Sequence, residues 1–217
     1  MRQRAAGALS GLGRAEDLLA LARDEKVDGW VRLRAAEALG RLGRAKEAAQ
    51  AWLALACDER ADGWVRQRAA GALGELGRAE EAAQAWLALA RDKKLDWRVR
   101  WQAAAVLGRL GRAEEAAQAW LVLAYDEKVE EWVRPRAAET LGRLGRAEEA
   151  AQAWLALARD EKVDWWVRLR AAEALGKWAD ARILPELERL ARRDKSKTIR
   201  QAARRAVKQI RRRGGAG

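Results

Sequence analysis

The feature that most constrains the fold is a gapless internal repeat of 34 residues. A Val-Arg pair recurs at Val31, Val65, Val99, Val133 and Val167, each 34 residues after the last. A fixed period of roughly 20 to 50 residues is typical of stacked repeat proteins, in which each unit buries its apolar face only against its neighbours. The chain is therefore predicted to form about six stacked units rather than one or two globular domains.

The units are most alike in the middle of the chain and diverge at its ends. The predicted segments are a shortened unit at 1–30, four full units at 31–64, 65–98, 99–132 and 133–166, a divergent unit at 167–198, and a basic capping helix with its tail at 199–217. Terminal units of a stack must differ from the middle ones, because one of their faces meets water.

Capping residues divide each unit into two helices. An acidic residue is placed to cap each first helix, at Asp28, Asp62, Asp96, Glu130 and Asp164. A glycine is placed to end each first helix and reverse the chain, at Gly43, Gly77, Gly111 and Gly145. The pattern predicts an all-α fold, an α-solenoid of two-helix repeats.

Helical spacing predicts which side chains form the core. The first helix places Val31, Ala35, Ala38, Leu39 and Leu42 on one face, and the second places Ala45, Ala48, Ala49, Trp52, Leu55 and Ala56 on one face. One large ring in each second helix fills the space that the alanines leave. The core rings are predicted to be Trp52, Trp86, Trp120 and Trp154.

A recurring arginine and a recurring aspartate are candidates for a ladder of ion pairs. The arginines are Arg32, Arg66, Arg100, Arg134 and Arg168, and the aspartates that close the second helices are Asp58, Asp92, Asp126 and Asp160. Ordinary solvated charges are the alternative interpretation.

The first helix, VRLRAAEALGRLG, resembles HEAT-like repeats of the phycobilisome-lyase type. The resemblance rests on a Val-Arg pair, paired alanines and an Ala-Leu-Gly sequence, at Val31, Arg32, Ala35, Ala36, Ala38, Leu39 and Gly40. The second helix, GRAEEAAQAWLALARD, is also similar to the second half of a tetratricopeptide repeat. The HEAT-like interpretation is preferred, because Gly40 and Gly43 are too close together for the longer first helix of a tetratricopeptide repeat. The resemblance implies that the first helices line a concave surface.

Positions at which the near-identical units differ indicate a partner-binding face. Three positions on one side of the first helix vary, and so do the residues just before that helix. The candidate residues are Trp30, Leu33, Glu37, Arg41, Trp64, Gln67, Glu75, Trp97, Arg98, Trp101, Arg109, Trp132, Pro135, Glu139, Arg143, Trp165, Trp166, Leu169, Glu173 and Lys177. Tryptophan mixed with arginine is typical of the energetic centres of protein interfaces. The alternatives are rings that fold over the seams between repeats, and neutral drift among duplicated units.

The basic character of the chain belongs to its C-terminal end. The segment 179–217 carries nine of the twelve net positive charges, so the repeats themselves are nearly balanced. These residues either bind phosphates or form the soluble side of a capping helix whose apolar side is Ile199, Ala202, Ala203, Ala206 and Ile210. The helical spacing favours the cap.

Composition argues against an enzyme and against a bound metal or cofactor. Histidine is absent, Cys57 is the one cysteine, and the paired glutamates recur at helix starts rather than at a single place. The sequence predicts a cytoplasmic, non-enzymatic scaffold that binds a protein or peptide, with no membrane segment. It favours the sensor segment of a larger bacterial signalling protein or an engineered repeat protein. Nucleic-acid binding and self-association through an open first repeat are the alternatives.

Overall fold

A computed structural model describes residues 14–214 of the protein. Within this range the secondary structure consists of twelve α-helices and one 3₁₀ turn, with no strand. The helices are α1 (Ala15–Arg23), α2 (Gly29–Arg41), α3 (Ala45–Cys57), α4 (Gly63–Glu75), α5 (Ala79–Arg91), α6 (Trp97–Arg109), α7 (Ala113–Tyr125), α8 (Val133–Arg143), α9 (Ala147–Arg159), α10 (Trp165–Trp178), α11 (Leu184–Arg193) and α12 (Lys197–Gly214). The predicted all-α class, with a first and a second helix in each repeat, is confirmed.

Aspartates cap the starts of the first helices α2, α4 and α6. The side chains of Asp28, Asp62 and Asp96 each accept a hydrogen bond from the backbone N–H two residues later, at 3.0, 2.8 and 2.8 Å. The first turn of a helix has N–H groups without intrahelical partners, and a short carboxylate on the preceding residue satisfies one of them. The predicted caps at these three positions are confirmed.

The start of α8 differs from the other first helices. This helix begins only at Val133, after Trp132, so Glu130 does not cap it. The prediction for Glu130 was wrong: its carboxylate accepts a hydrogen bond from Nε1 of Trp132 at 2.7 Å instead of capping the helix. Asp164 does occupy the cap position of α10, but its carboxylate accepts from Nε1 of Trp166 at 3.3 Å rather than from a backbone N–H.

A glycine with positive φ reverses the chain between the two helices of a repeat. Gly43 has a φ of 77°, a conformation in which any other residue would be strained. The backbone N–H of Arg44 donates to the carbonyl of Leu39 at 3.0 Å, and that of Gly43 donates to Gly40 at 3.1 Å. These two bonds satisfy carbonyls that the end of α2 would otherwise leave open. Gly77, Gly111 and Gly145 adopt the same conformation, as predicted.

The described helices fall into two compact units. Unit 1 extends to Ala116 and unit 2 begins at Ala117, inside α7. In unit 1 each of α1 to α5 packs against the helix that follows it, and the second helices α3 and α5 also pack on each other. In unit 2, α8 packs on α9, α9 on α10, and α12 covers both α10 and α11.

The core of each unit is built from alanine, leucine and one tryptophan per second helix. Trp52, Trp86, Trp120 and Trp154 are between 2% and 6% exposed, so all four predicted core rings are buried. The predicted core was wrong for Leu42, which is 37% exposed, and for Ala45. Both lie in the turn region at the helix ends, where the next helix no longer covers them.

Buried arginines join consecutive repeats through the predicted ladder. Arg66 is 1% exposed; its Nη1 lies 2.5 Å from the Asp92 carboxylate, and its Nε donates to the carbonyl of Ala56 at 2.9 Å. One guanidinium therefore bonds the end of α3 and the loop after α5. The same arrangement joins Arg32 to Asp58, Arg134 to Asp160, and Arg168 to Asp194. Asp194 is a member of the ladder that the sequence analysis did not include.

A candidate partner-binding face on the first helices

The candidate residues of the first helices differ in exposure by their position along the helix. The residues of the eleventh position (Arg41, Glu75, Arg109, Arg143 and Lys177) are all exposed. Those of the seventh position are half-buried in α2 and α8 (Glu37, Glu139) and exposed in α10 (Glu173). Of the third position, Gln67, Trp101 and Leu169 are half-buried. Among these three positions, side-chain exposure is thus greatest at the eleventh, near the C-terminal end of each first helix.

Two candidate residues do not belong to an exposed face. Leu33 has no exposed surface, and Pro135 is also buried. The helical wheel placed them opposite the core stripe, but a helix inside a stack is covered by the preceding and following repeats as well as by its own partner helix. The buried sector is therefore wider than one face, and the third position lies inside it in α2 and α8.

Four of the tryptophans around the starts of the first helices are exposed. Trp64, Trp132, Trp165 and Trp166 are 53%, 46%, 65% and 42% exposed, whereas Trp30 and Trp97 are half-buried, and Arg98 beside Trp97 is exposed. The separation predicted between buried second-helix rings and more accessible rings at the first helices is thus present. That these rings bind a partner, and that they line a concave surface, remain predictions.

In unit 1 an open groove lies between the first helices α2 and α4. Its volume is about 510 Å³. We call it the Gly40 groove; its lining residues are Arg34, Glu37, Gly40, Arg41, Trp52, Arg68, Ala72, Glu75 and Leu76. Trp52 of α3 lies at its base, since an atom added as Cβ on Gly40 would be 3.2 Å from the Trp52 ring. The groove therefore has an apolar base and charged sides.

The charged sides of the Gly40 groove are partly neutralised by ion pairs. Glu37 accepts a hydrogen bond from Nη1 of Arg34 at 2.9 Å, and Nε of Arg68 lies 3.9 Å from the same carboxylate. Arg41 and Glu75 form no ion pair within residues 14–214. The groove thus presents three guanidinium groups and two carboxylates, one of which is already shared by two of the arginines.

An aromatic cluster borders this groove on the side where the first helices begin. The rings of Trp30 and Trp64 lie 4.9 Å apart at an interplanar angle of 39°, and the guanidinium of Arg34 lies 4.9 Å from the centre of the Trp30 ring. A second groove of about 320 Å³ between α4 and α6 is lined by Trp64, Gln67, Arg68, Gly71, Trp86 and Gln102. Trp64 thus borders both helix pairs.

The sequence analysis missed Arg34 and Arg68, which line these grooves. The candidate residues were chosen at positions that differ between repeats, whereas the fourth position of the repeat is arginine in both α2 and α4. A different signal was present: Arg34 follows Trp30 by four residues, so a helix places the guanidinium over the ring. Constant positions can therefore contribute to a variable surface.

In unit 2 the corresponding space between α8 and α10 is filled. The ring of Trp178 covers Gly142 so closely that a Cβ at Gly142 would lie 2.7 Å from it. The Nζ of Lys177 lies 4.6 Å from the centre of that ring. Glu139 is paired with Arg143 at 2.7 Å and lies 3.5 Å from Arg136. No comparable opening remains over Gly142.

The basic C-terminal helix α12 has the two-sided character of a cap. Its buried side consists of Ile199, Ala202, Ala203, Ala206, Val207 and Ile210, which includes every residue predicted for the apolar side. Arg213 donates to the carbonyls of Lys177 and Ala179 at 2.7 and 2.6 Å, and Arg211 pairs with Glu188 at 2.6 Å. The helix therefore covers the end of α10 and α11.

Two further features concern only the described residues. None of the helices in 14–214 is both long and apolar enough to cross a membrane. The same range contains no group of three or more acidic, histidine or cysteine side chains arranged to hold a metal ion. The first repeat, predicted at 1–30 to support self-association, is described only from residue 14 onward, and its residues 1–13 lie outside the described range.

The helical pairs, their turn glycines and the buried arginine ladder define an all-α repeat protein, and comparison with known families gives its class. A family model of HEAT repeats matches residues 50–134 and 119–208. These segments cover more than half of the chain, so the protein belongs to the HEAT-repeat family. The preference for HEAT-like over tetratricopeptide repeats is confirmed.

Other comparisons add little beyond this family. No curated protein matches the chain. Among solved structures the chain is similar to human deoxyhypusine hydroxylase in complex with glycerol, with 21% sequence identity and a TM-score of 0.43 over 96% of this chain and 89% of that chain. A likeness of this strength carries no argument about the activity of the protein.

Proposed function

We propose that the protein is a non-enzymatic scaffold that binds a protein or peptide through the first-helix face of unit 1. The observation that carries the proposal is the Gly40 groove together with the Trp30–Trp64 cluster at its border. A groove of about 510 Å³ is within the range of side-chain and small-ligand sites, which is roughly 300 to 1,000 Å³.

The chemistry of this surface supports a protein partner. Exposed Trp and Arg dominate the binding energy of many interfaces, because the rings bury a large area and the guanidinium supplies directed hydrogen bonds. Trp64 is 53% exposed, and the second groove that it lines also contains the polar side chains of Gln67, Arg68 and Gln102. An accessible ring with polar surroundings is an anchor that a partner can desolvate at little cost to the free protein.

The experiment is a selection of peptides from a random displayed library on the immobilised full chain. We expect enriched peptides with micromolar Kd values, about −8 kcal/mol of binding free energy. Trp64→Ala should weaken them at least tenfold. The matched control is Tyr125→Ala, which removes a ring of similar exposure, 45%, from the end of a second helix. Failure to enrich any peptide, or equal binding to both variants, would remove the proposal.

Nucleic-acid binding by α12 is the second candidate, and one observation favours it. Arg204, Arg205, Lys208 and Arg212 are exposed and form no hydrogen bond or ion pair within 14–214. Phosphate contacts of this kind would make the affinity fall steeply with salt. An electrophoretic titration at 50 and 200 mM salt tests it: absence of a salt-sensitive shift with DNA and RNA at micromolar protein eliminates this candidate.

A further inference from the structure

The glycine at the tenth position of the first helix is covered in one unit and open in the other. In unit 2 Gly142 lies under the Trp178 ring, and Gly176 lies under α12, whose Ala206 Cα would be 3.2 Å from an added Cβ. In unit 1 the three atoms nearest to an added Cβ on Gly40 all belong to α3 of its own repeat. Nothing from α4 comes as close, and the groove lies above Gly40.

A single difference in the sequence accounts for the open groove. The twelfth position of the repeat is leucine in the four full units and tryptophan, Trp178, in the divergent unit. Leu76, three repeats before Trp178, lines the Gly40 groove. Leucine is too small to reach across to the preceding first helix, whereas the indole does so in unit 2. Glycine inside a helix is unfavourable relative to alanine, and close approach of a ring is what makes it useful at Gly142.

We propose that the Gly40 groove receives an aromatic side chain of a partner peptide, in the way that Trp178 covers Gly142, and that acidic residues flank this side chain in the peptide. The inference rests on the proposed function and specifies its partner. The chain itself supplies the precedent for the occupant, since an indole already packs on the equivalent glycine of unit 2.

The charges of the groove specify the flanks. Arg34, Arg41 and Arg68 outnumber Glu37 and Glu75, and Glu37 is already shared between Arg34 and Arg68. A carboxylate beside the incoming ring would pair with Arg41, which forms no ion pair within residues 14–214. In unit 2 a cation, Lys177, lies over the covering ring at 4.6 Å, and in unit 1 the guanidinium of Arg41 is available for the same contact.

The test uses fluorescence anisotropy with the labelled peptide Glu-Asp-Trp-Asp-Glu and the full chain. The comparison peptides have Ala in place of Trp, or Lys in place of each acidic residue. We expect each change to weaken binding at least tenfold, which is typical of the loss of a central tryptophan or of paired charges. Equal binding of the Trp and Ala peptides would overturn the inference.

Variants of the protein locate the site. Leu76→Trp installs in unit 1 the ring that closes the equivalent space in unit 2, and should weaken the peptide at least tenfold. The matched control is Ala54→Trp, which adds the same ring at an exposed position of a second helix. Arg41→Glu changes only an exposed side chain, so it keeps the test valid if Leu76→Trp folds poorly; it should also weaken the acidic peptide at least tenfold. Unchanged binding to both groove variants contradicts the inference.

The outcomes separate this inference from the proposed function. Library peptides could depend on Trp64 and yet bind Leu76→Trp and Arg41→Glu as tightly as they bind the original chain. This result would support the scaffold function and refute an aromatic side chain in the Gly40 groove. A selection that yields no peptide, together with no binding of Glu-Asp-Trp-Asp-Glu, would refute both. Trp178→Leu provides a gain-of-binding arm: it should open the space over Gly142 and raise the number of bound peptides per chain by one.

Discussion

Replacing Arg66 by methionine tests the claim that buried arginines hold consecutive repeats together. Methionine keeps much of the volume of the side chain but removes its charge and its donors. The change leaves the Asp92 carboxylate, whose side chain is 6% exposed, without the guanidinium that lies 2.5 Å away. It also removes the donor that now satisfies the carbonyl of Ala56. A buried carboxylate without its partner is strongly unfavourable.

The magnitude follows from the burial of both partners. Breaking a buried pair by removing one member costs about 3 to 5 kcal/mol of the free energy of unfolding. With a urea dependence of about 2 to 3 kcal/mol per molar, the unfolding midpoint should fall by roughly 1 to 2 M. Arg68→Met, two residues later on the same helix, is the control; its side chain is 57% exposed and lies 3.9 Å from Glu37, so the midpoint should hardly change.

The pH dependence adds a second readout. Burial acts to raise the pKa of Asp92, but the hydrogen bonds from Arg66 and from the backbone N–H of Lys94, together with both positive charges, lower that pKa below its ordinary value. In the original chain this contribution to stability is present above the ordinary pKa and is lost as the pH falls through the lowered one. In Arg66→Met the hydrogen bond from the Lys94 N–H remains, but the contributions of Arg66 are lost, so the pKa of Asp92 is higher than in the original chain. The two chains should therefore converge in stability as the pH falls from about 5 toward the lowered pKa. Adding Asp92→Asn to the variant should recover at least half of the loss. A midpoint within experimental error of the original, at every pH, would refute the structural role of the ladder.

Three further predictions concern the core, the turns and the acid response. Trp154→Ala should lower the free energy of unfolding by about 3 to 5 kcal/mol, whereas Trp165→Ala, at a ring that is 65% exposed, should change it by less than about 0.5 kcal/mol, as measured by urea titration. Gly77→Ala should destabilise the chain by about 1 kcal/mol, because Gly77 has a φ of 74°. Gly74→Ala should stabilise it by about 0.5 to 1 kcal/mol, because an added Cβ meets nothing within 4 Å. The opposite order of melting temperatures would contradict the turn assignment. Burial acts to raise the pKa of Asp58, but hydrogen bonds from two arginines lower it to about 2. Asp58→Asn should therefore lower the free energy of unfolding by roughly 1 to 2 kcal/mol at pH 7, and this difference should shrink as the pH falls from about 4 toward 2.

The repeat architecture was predictable because each rule that defines it acts within one repeat or between neighbours. Turn glycines, aspartate caps and the period of the buried tryptophans depend on local geometry, which the sequence states directly. The errors have a common origin in the context of the stack. Leu33 is buried by neighbouring repeats that a helical wheel omits, and Leu42 is exposed because it lies beyond the end of its helix. At Glu130 and Asp164 the carboxylate accepts from the indole Nε1 of the tryptophan two residues later, a competing donor that the capping rule omits.

The candidate site was harder to predict, because identical residues take different roles when a single neighbour changes. Gly40 and Gly142 occupy the same position of their repeats, yet one borders an open groove and the other lies under an indole. Whether the glycine is open or covered depends on the residue at the end of the next first helix, which is Leu76 for Gly40 and Trp178 for Gly142. In a chain of near-copies, the shape of the surface over a repeat therefore depends on its successor. A search for function in such a chain should compare pairs of adjacent repeats, since the smallest unit that defines a groove is two first helices and the ring, or the space, between them.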